Sequence, residues 1–301
     1  MGWRSVIITQ HSKVTYSSNM MRVQTRDGIN QIPIEDIDIL LISTTQAVLS
    51  SALIAELAKQ NIKIIFTDKR NEPICETNNY YPNNRSTTLI NKQFNWSEQR
   101  KNLLWTKIIQ NKITNQLKVL ELRNLKFDDL KLELEKLEVG DPTNREAVIA
   151  QKYFPRLFED KFNRRTNSAI NAALDYGYSI LLSTVNKEIT VYGHLTQIGI
   201  HHHSDENQFN LGSDLMEIFR PIVDYWVSGQ KFNELTPDIK YGLVDMLNLE
   251  LEYNDKTMLL RNIIADYVRK CLDYLDEKKD SINFEVNYKD EVPNNALNGH
   301  V

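Results

Sequence analysis

The chain has 301 residues, of which 41% are apolar and 25% are charged, as in a soluble globular protein with core enough for one large domain or two smaller ones. Its net charge of −4 argues against a uniformly basic nucleic-acid-binding protein. No run approaches the roughly 18 apolar residues of a membrane-spanning helix, the N-terminus lacks a signal-peptide pattern, and Cys75 and Cys271 lie far apart, so we expect a cytoplasmic chain with no membrane contact and no disulfide framework.

The first 76 residues are rich in predicted strands. Short runs with β-branched residues alternate with polar turns, and two longer apolar runs are typical of buried strands. The predicted strands lie at 5–9, 13–17, 20–24, 31–34, 37–42 and 62–66. An apolar stripe over 44–60 predicts one helix. We therefore predict a small β-rich domain over residues 1–76.

The pattern changes after this domain. Residues 77–95 begin without apolar periodicity and are predicted to form a linker. From residue 96 the apolar period is 3.6, which predicts a larger all-α domain over 96–286, and the polar end, 287–301, is predicted to be flexible. The expected fold class is therefore α+β, with a β-rich N-terminal domain that contains one helix, followed by an all-α catalytic domain.

Basic and acidic residues are segregated along the chain. Basic residues outnumber acidic ones by nine to two in 85–126 and by five to two in 152–165, whereas acidic residues concentrate in 128–141 and 273–291. A basic face can therefore coexist with an acidic total. Solvated helix faces explain such runs as well as nucleic-acid contacts do, so the runs by themselves leave both interpretations open.

Three adjacent histidines, 201–203, precede a predicted helix that carries two carboxylates. Asp214 and Glu217 are spaced i, i+3 and share one face of that helix, and Arg220 lies one turn further, where it could hold a carboxylate or a phosphate. Neighbouring histidines in a loop alternate in direction, so only one of them, or the outer two, reaches a common site. A polar surface run is the simpler alternative, and a structural zinc site lacks a nearby cysteine to complete four ligands.

Glu146 opens an amphipathic helix after the turn residues at 140–143. A carboxylate in the first turn of a helix interacts favourably with the helix dipole, so capping alone explains it. It becomes a candidate ligand only through possible partners elsewhere in the chain. Two carboxylates and one imidazole would hold Mg²⁺ or Mn²⁺ and polarise a phosphodiester. No Walker-type loop and no serine or cysteine nucleophile motif competes with this interpretation.

Several strings, taken together and in order, carry a resemblance to a known family. They are Gly-Trp-Arg-Ser-Val at 2–6, His-Ser-Lys at 11–13, the apolar run at 36–42, Arg-Glu-Ala at 145–147, Asn-Ala at 171–172, Tyr-Gly-Tyr at 176–178, Gly-Ile-His-His at 199–202 and Ser-Asp-Leu-Met-Glu-Ile-Phe-Arg-Pro at 213–221. The chain resembles the CRISPR-associated integrase, the catalytic subunit of the spacer-acquisition complex. The likeness covers nearly the whole chain and is greatest to the forms that accompany type II-A systems.

The resemblance implies a ligand set. Carried over by position, the family's metal triad falls on Glu146, His202 and Glu217, which would be the catalytic residues and would hold Mg²⁺ or Mn²⁺. His202 is the fourth residue of the Gly-x-x-His string, so it is preferred to its two neighbours. Asp214 and Arg220 match positions that support the ligands. We expect DNA-backbone contacts in the basic segments 85–126 and 152–165, and the individual residues predicted to contact DNA are Arg145, Lys152, Arg156, Arg164 and Arg165.

The resemblance also implies a function. Such a protein would be a CRISPR adaptation integrase, a metal-dependent endonuclease and transesterase that inserts short duplex DNA fragments, the new spacers, at the CRISPR repeat by 3′-hydroxyl attack on a phosphodiester. It would form a homodimer through the β-rich domain, and two dimers would be bridged by a dimer of the small second adaptation subunit. A type II-A form would also associate with a ring-forming accessory protein and the effector nuclease.

Two other functions stay open at this point. A structure-specific, metal-dependent DNA nuclease would use the same ligands with water as the nucleophile. A non-catalytic DNA-binding scaffold would need no ligand set at all. The presence of Glu146, His202 and Glu217 together argues against the scaffold, because nothing structural requires those residue types in combination.

Overall fold

A computed structural model describes residues 2, 4–69, 73–77, 79, 86–159 and 162–288. The chain divides into two units, Met1–Asn84 and Arg85–Val301. Most of the tail that we predict to be flexible, 287–301, lies outside the described residues, as do part of the predicted linker and two members of the basic runs, Arg85 and Lys161.

The N-terminal unit is built from short strands and one helix. Its elements are β1 (Arg4–Ile8), β2 (Lys13–Ser17), β3 (Met20–Gln24), β4 (Ile29–Pro33), β5 (Ile37–Ile42), β6 (Val48–Leu49), α1 (Ser51–Lys59), β7 (Lys63–Thr67) and β8 (Pro73–Glu76). One sheet has the order β1-β5-β7-β8, with β1, β5 and β7 parallel and β8 antiparallel at the edge. The other has the order β4-β3-β2-β6.

The core of this unit lies around β5, whose residues are all buried. Leu40 pairs with Val6 on one side and with Ile64 on the other, in parallel register. A strand in the middle of a covered parallel sheet is buried on both faces, which explains an apolar run that only Asp38 interrupts. Leu53 and Leu57 of α1 are buried in the same cluster.

The second unit is mostly helical. Its elements are α2 (Ser86–Phe94), α3 (Glu98–Leu122), α4 (Asp128–Leu134), α5 (Arg145–Leu157), α6 (Ala169–Val191), α7 (Asn210–Met216), α8 (Arg220–Ser228), α9 (Pro237–Asp245), β9 (Glu250–Tyr253), β10 (Lys256–Leu259), α10 (Leu260–Leu275) and β11 (Val286–Asn287). A 3₁₀ turn, Glu217–Phe219, joins α7 to α8. Part of the range predicted to be a linker, 77–95, is therefore helical, since α2 occupies 86–94.

Two elements position the site. The long helix α3 packs against α5, α8 and the 3₁₀ turn, and α6 packs against α7 and α8. Ser97 caps α3 by accepting a hydrogen bond from the backbone of Arg100. These contacts bring the middle of α3, the start of α5 and the junction of α7 and α8 together. In the described part of the chain, no helix is both long and apolar enough to cross a bilayer.

The expectation of an all-α second domain was wrong in one place. Strands β10, β9 and β11 form a small antiparallel sheet within the range 96–286, which was predicted to be all-α. The hairpin turns at Asn254 and Asp255, which have φ angles of 48° and 63°. Asn and Asp tolerate this left-handed conformation, which a tight hairpin requires. The helix starts only at Leu260, after the hairpin.

Candidate active site

Asp214 is completely buried and positions the loop at 199–203 that carries the three histidines. Its Oδ2 accepts hydrogen bonds from the backbone N–H groups of Ile200 (2.7 Å) and His201 (3.0 Å), and its Oδ1 accepts one from the N–H of His202 (3.0 Å). The chain passes so close that a Cβ on Gly199 would lie 2.6 Å from Asp214 Oδ2. The glycine of the Gly-x-x-His string therefore allows the loop to wrap around the carboxylate.

The same carboxylate orients the ring of His202. Nδ1 of His202 lies 2.6 Å from Oδ1 of Asp214, and because an ionised carboxylate only accepts, Nδ1 donates. In the neutral ring, Nε2 is then left with a lone pair available to a cation or a proton. The hydrogen bond that His202 donates to Asp214, followed by the charges of Asp214, Glu217 and Glu146, raises the pKa of His202 despite partial burial. These side chains therefore share one electrostatic environment.

The other two histidines are placed differently. The ring of His201 stacks on Trp105, with centroids 4.1 Å apart and an angle of 7° between the planes. Burial against this partner lowers the pKa of His201. His203 is exposed. Trp105 itself is buried, so its ring forms a fixed surface beside His201.

Glu146 and Glu217 meet at the ammonium group of Lys112. Nζ of Lys112, in the middle of α3, lies 2.5 Å from Oε2 of Glu217 and also contacts Oε1 of Glu146. Lys112 and Glu217 are 4% and 3% exposed. The two carboxylates, which are 71 positions apart in sequence, therefore direct one oxygen each at a single cationic atom.

The start of α5 explains why Glu146 is free to make this contact. Asp141 accepts hydrogen bonds from the backbone N–H groups of Arg145 (2.7 Å) and Glu146 (3.0 Å), and Asn144 accepts one from Ala147 (3.3 Å). These side chains satisfy the donors of the first helical turn, which otherwise have no partner within the helix. Capping therefore falls to Asp141 and Asn144, and the carboxylate of Glu146 turns toward Lys112.

Arg220 approaches the second oxygen of Glu217. Its Nε lies 3.2 Å from Oε1, and its guanidinium lies over the ring of Tyr178 at 4.7 Å. Burial by itself would raise the pKa of Glu217, but the positive charges of Arg220 and Lys112 outweigh it and hold the pKa below its ordinary value. The Tyr178 hydroxyl in turn donates to Asp224, a buried carboxyl whose pKa burial raises to about 6.

The donor set suits a divalent cation only in part. Two carboxylate oxygens converge on one point, as oxygen ligands of Mg²⁺ or Mn²⁺ do, and the imidazole of His202 feels the charge of both. Among the described residues, however, no group of three or more His, Cys, Asp or Glu side chains already has the spacing of a metal site. The residues fit a cation where the ammonium of Lys112 now lies.

The residues predicted to contact DNA are largely paired with carboxylates of the protein itself. Glu133 of α4 binds Arg145 (2.8 Å) and Lys152 (3.3 Å). Asp129, one turn earlier on α4, binds both terminal nitrogens of Arg156 at 2.7 Å. Arg164 pairs with Asp175 and with Asn171 on α6. For Arg165 the structure gives a backbone hydrogen bond to Asn163.

The sequence analysis did not single out Lys112, Asp129 or Glu133. Lys112 was counted among the basic residues of 85–126. A signal was present, because Lys112 lies among Ile108, Ile109 and Ile113 on the apolar face of α3, where an unpaired ammonium is rare. The acidic residues of α4 are spaced i, i+4, which puts them on one helix face. Which other helix packs against that face depends on tertiary structure and could not be predicted from this spacing.

Comparison with known proteins identifies the family. The family model described as CRISPR associated protein Cas1 matches residues 5–231. A CRISPR-associated endonuclease Cas1 from Neisseria meningitidis serogroup C is 33% identical over 258 residues, which cover 83% of this chain and 85% of the relative.

Solved structures with low sequence identity share the fold. A casposase bound to an integration product superimposes with a TM-score of 0.77 at 20% identity and 93% coverage of each chain. A chain of a Cas6-RT-Cas1–Cas2 complex has a TM-score of 0.72 at 16% identity, covering 92% of this chain and 35% of its own length. With a family match over residues 5–231 and a relative of one-third identity, the chain belongs to the Cas1 family of CRISPR-associated proteins.

Proposed function

We propose that this chain is a CRISPR adaptation integrase, a DNA endonuclease and transesterase that joins short duplex fragments to the CRISPR repeat. The observation that carries the proposal is the convergence of Glu146 and Glu217 on one cationic atom, next to a histidine fixed by Asp214. Membership of the Cas1 family supports it, as does the description of the Neisseria relative as an endonuclease. The casposase neighbour, described with an integration product, agrees with joining as well as cutting.

In the proposed mechanism, Glu146, Glu217 and Nε2 of His202 would hold Mg²⁺ or Mn²⁺. When bound, this ion would polarise the phosphodiester and stabilise the charge that develops on its oxygens. Asp214 holds the His202 ring so that Nδ1 donates and Nε2 keeps its lone pair. Arg220 fixes the orientation of Glu217 through its outer oxygen.

The joining step is a transesterification. The oxygen of a fragment 3′-hydroxyl attacks phosphorus of a repeat phosphodiester, a new phosphorus–oxygen bond forms, and the bond to the repeat's own 3′ oxygen breaks. The proton of the attacking hydroxyl is lost to solvent, and the departing oxygen gains one. No covalent bond to the protein is needed, which suits a site made of carboxylates and imidazole.

The partners are part of the proposal. We propose double-stranded DNA as the substrate, a homodimer, and two dimers bridged by a dimer of the small second adaptation subunit. The structural neighbour from a Cas1–Cas2 complex supports that partner. The descriptions of the relatives name no subtype, so the type II-A form, with its ring-forming accessory protein and effector nuclease, stays a prediction.

A strand-transfer assay tests the function. Purified protein with its small partner receives a labelled duplex and a plasmid that carries a CRISPR repeat, in Mg²⁺ or Mn²⁺ or in EDTA. We expect cation-dependent joining of the label to the plasmid. Glu146→Gln, His202→Ala and Glu217→Gln should each reduce joining by at least about 100-fold, because losing even a residue that supports a ligand costs 10–100-fold.

Two matched controls accompany these variants. His203→Ala removes a neighbouring imidazole, and Glu121→Gln removes an exposed carboxylate of α3 that pairs with Lys118. Both should retain joining. Full activity of His202→Ala would contradict the site. Cleavage without joining would favour the structure-specific nuclease, and DNA binding without any reaction would favour the scaffold.

A further inference from the structure

Lys112 is a buried cation that lies between two carboxylates of the candidate site. Its neighbours on α3, Ile108, Ile109 and Ile113, are fully buried, and the ammonium reaches past them to the two carboxylates. Withdrawing an ammonium from water costs several kcal/mol unless it is paired and hydrogen-bonded. Nζ of Lys112 contacts one oxygen of Glu146 and one of Glu217. The buried ammonium is therefore paired with two carboxylates.

We propose that Lys112 is the resident cation of the acidic pair. Its ammonium holds Glu146 and Glu217 together while no divalent cation is bound, and it competes with that cation for the same two oxygens. This inference rests on the proposed function, since it assumes that Glu146 and Glu217 are the ligands. It makes Lys112 a positioning residue that acts through the two carboxylates.

The division of oxygens between two cations supports this role. Arg220 takes Oε1 of Glu217 and is 35% exposed in its side chain, whereas Lys112 takes Oε2 and is buried. The positive charges of Lys112 and Arg220 already balance the negative charges of the two carboxylates. A divalent ion that entered the site would be repelled by both. Arg220 can remain at the outer oxygen. Lys112 has to release the inner oxygens before another cation can use them.

Titration with Mn²⁺ tests the competition directly. The electron paramagnetic resonance signal of free Mn²⁺ disappears on binding, so it gives a dissociation constant without any measurement of activity. We expect Lys112→Met and Lys112→Gln to bind Mn²⁺ at least about tenfold more tightly than the wild type, because the ion no longer displaces two charge-assisted hydrogen bonds. Lys118→Met, which removes the same charge from an exposed position on α3, should leave the dissociation constant unchanged.

Thermal unfolding separates this role from a purely structural one. Without Mn²⁺, Lys112→Met should melt at a lower temperature than the wild type, since the buried Glu217 and the half-buried Glu146 lose their common partner. Saturating Mn²⁺ should raise its melting temperature by more than that of the wild type. A lysine that only stabilises the core would lower both temperatures equally and leave Mn²⁺ affinity unchanged, which would overturn the proposal.

A measurement on the wild type keeps the test independent of variant folding. Labelling of Lys112 by an amine-specific reagent, followed by peptide mass spectrometry, should increase when Mn²⁺ is added, because the ammonium leaves the carboxylates. Unchanged labelling at saturating Mn²⁺ would contradict the competition. Glu217→Gln distinguishes the two proposals. If this variant binds Mn²⁺ with wild-type affinity, the ligand assignment fails. If Glu217→Gln binds Mn²⁺ more weakly but the Lys112 variants keep wild-type affinity, only the competition by Lys112 fails.

Discussion

Asp214 shows how one buried carboxylate can position both a loop and a histidine ring. It accepts hydrogen bonds from three consecutive backbone N–H groups and from the His202 ring. These four hydrogen bonds are divided equally between its two oxygens. The position of His202 is therefore set by the loop and the carboxylate together. A conservative substitution at Asp214 should therefore change the orientation and the pKa of His202 more than it changes the fold.

We expect Asp214→Asn to lower the pKa of His202. In the wild type that pKa lies above the ordinary value of 6.5, chiefly because of the hydrogen bond to Asp214. A group with a raised folded pKa adds stability below its unfolded pKa, and this stability is lost as the pH rises through the folded pKa. The contribution is therefore present in mild acid and absent in alkali.

Ring-proton NMR of His202 in metal-free protein checks this expectation. The midpoint of its titration should move to lower pH in Asp214→Asn. His201, whose pKa is lowered by partial burial and on which Asp214 acts only through its charge, should shift in the same direction but by less. An unchanged His202 midpoint would show that the ring does not depend on Asp214.

At the scale of elements, α4 lies against α5 through charge. Asp129 and Glu133 of α4 bind Arg145, Lys152 and Arg156 of α5. The pairs lower the pKa of Glu133 through its hydrogen bond from Arg145, and that of Asp129 through its hydrogen bond from Arg156. The acidic helix therefore occupies cations that the sequence analysis assigned to DNA. The predicted DNA contacts on this face would therefore compete with α4 for the same cations.

Removal of the acidic partners should strengthen DNA binding. We expect Asp129→Asn with Glu133→Gln to bind duplex DNA more tightly and to steepen the dependence of log K on log salt by roughly one for each cation released to a phosphate. Fluorescence anisotropy over a range of salt concentrations measures both. Asp266→Asn, which frees Arg269 and Lys270 of α10, is the matched control. Equal effects of the two changes would argue against α5 as a DNA-contacting face.

A second junction of elements depends on Asp276, at the end of α10. Its buried side chain accepts a hydrogen bond from Trp96 Nε1 (3.0 Å) and contacts His194 Nε2 (3.1 Å) and Lys278 Nζ (3.1 Å). Despite burial, these partners hold the pKa of Asp276 near 2. Segments before α3, after α6 and after α10 therefore meet at one carboxylate.

We expect Asp276→Asn to destabilise the protein by about 1–3 kcal/mol at neutral pH, since it weakens buried charge-assisted hydrogen bonds. A depressed folded pKa adds stability above the unfolded pKa, and that stability is lost as the pH falls through the folded value. The difference between wild type and variant should therefore shrink between about pH 4 and pH 2. Urea unfolding at a series of pH values measures it, and a constant difference would contradict the assignment.

At the scale of the whole molecule, local patterns predicted most of the secondary structure. The strands of the first unit and the long helices follow from alternation and from 3.6-residue periodicity. The β9–β10 hairpin was missed although Asn254-Asp255 between alternating residues was a usable turn signal. The proposed ligands were predicted from positions within the family strings, whereas local sequence alone left Glu146 as a capping residue.

The remainder depended on tertiary contacts that no local pattern encodes. Lys112 was indistinguishable from its basic neighbours until α3 was seen beside α5 and the α7–α8 junction. The pairing of α4 with α5 is a similar case. The sequence indicates which residues share one face of each helix, but it does not indicate which two faces pack together. Charge runs therefore indicate how many cations exist, and the fold decides how many of them are available to a ligand.

The contacts of α3 with the segment that follows α10 have a consequence for synthesis of the chain. Side chains of Arg100, Lys107 and Asn111 donate to backbone carbonyl groups of Lys279, Ile282 and Phe284. These partners are 173 to 179 positions apart. Contacts of such separation form late, because a long loop must close first. Because the ribosome makes the chain from the N-terminus, the packing of α3 cannot be completed until residues near 287 have been synthesised. The N-terminal unit has all its strands far earlier.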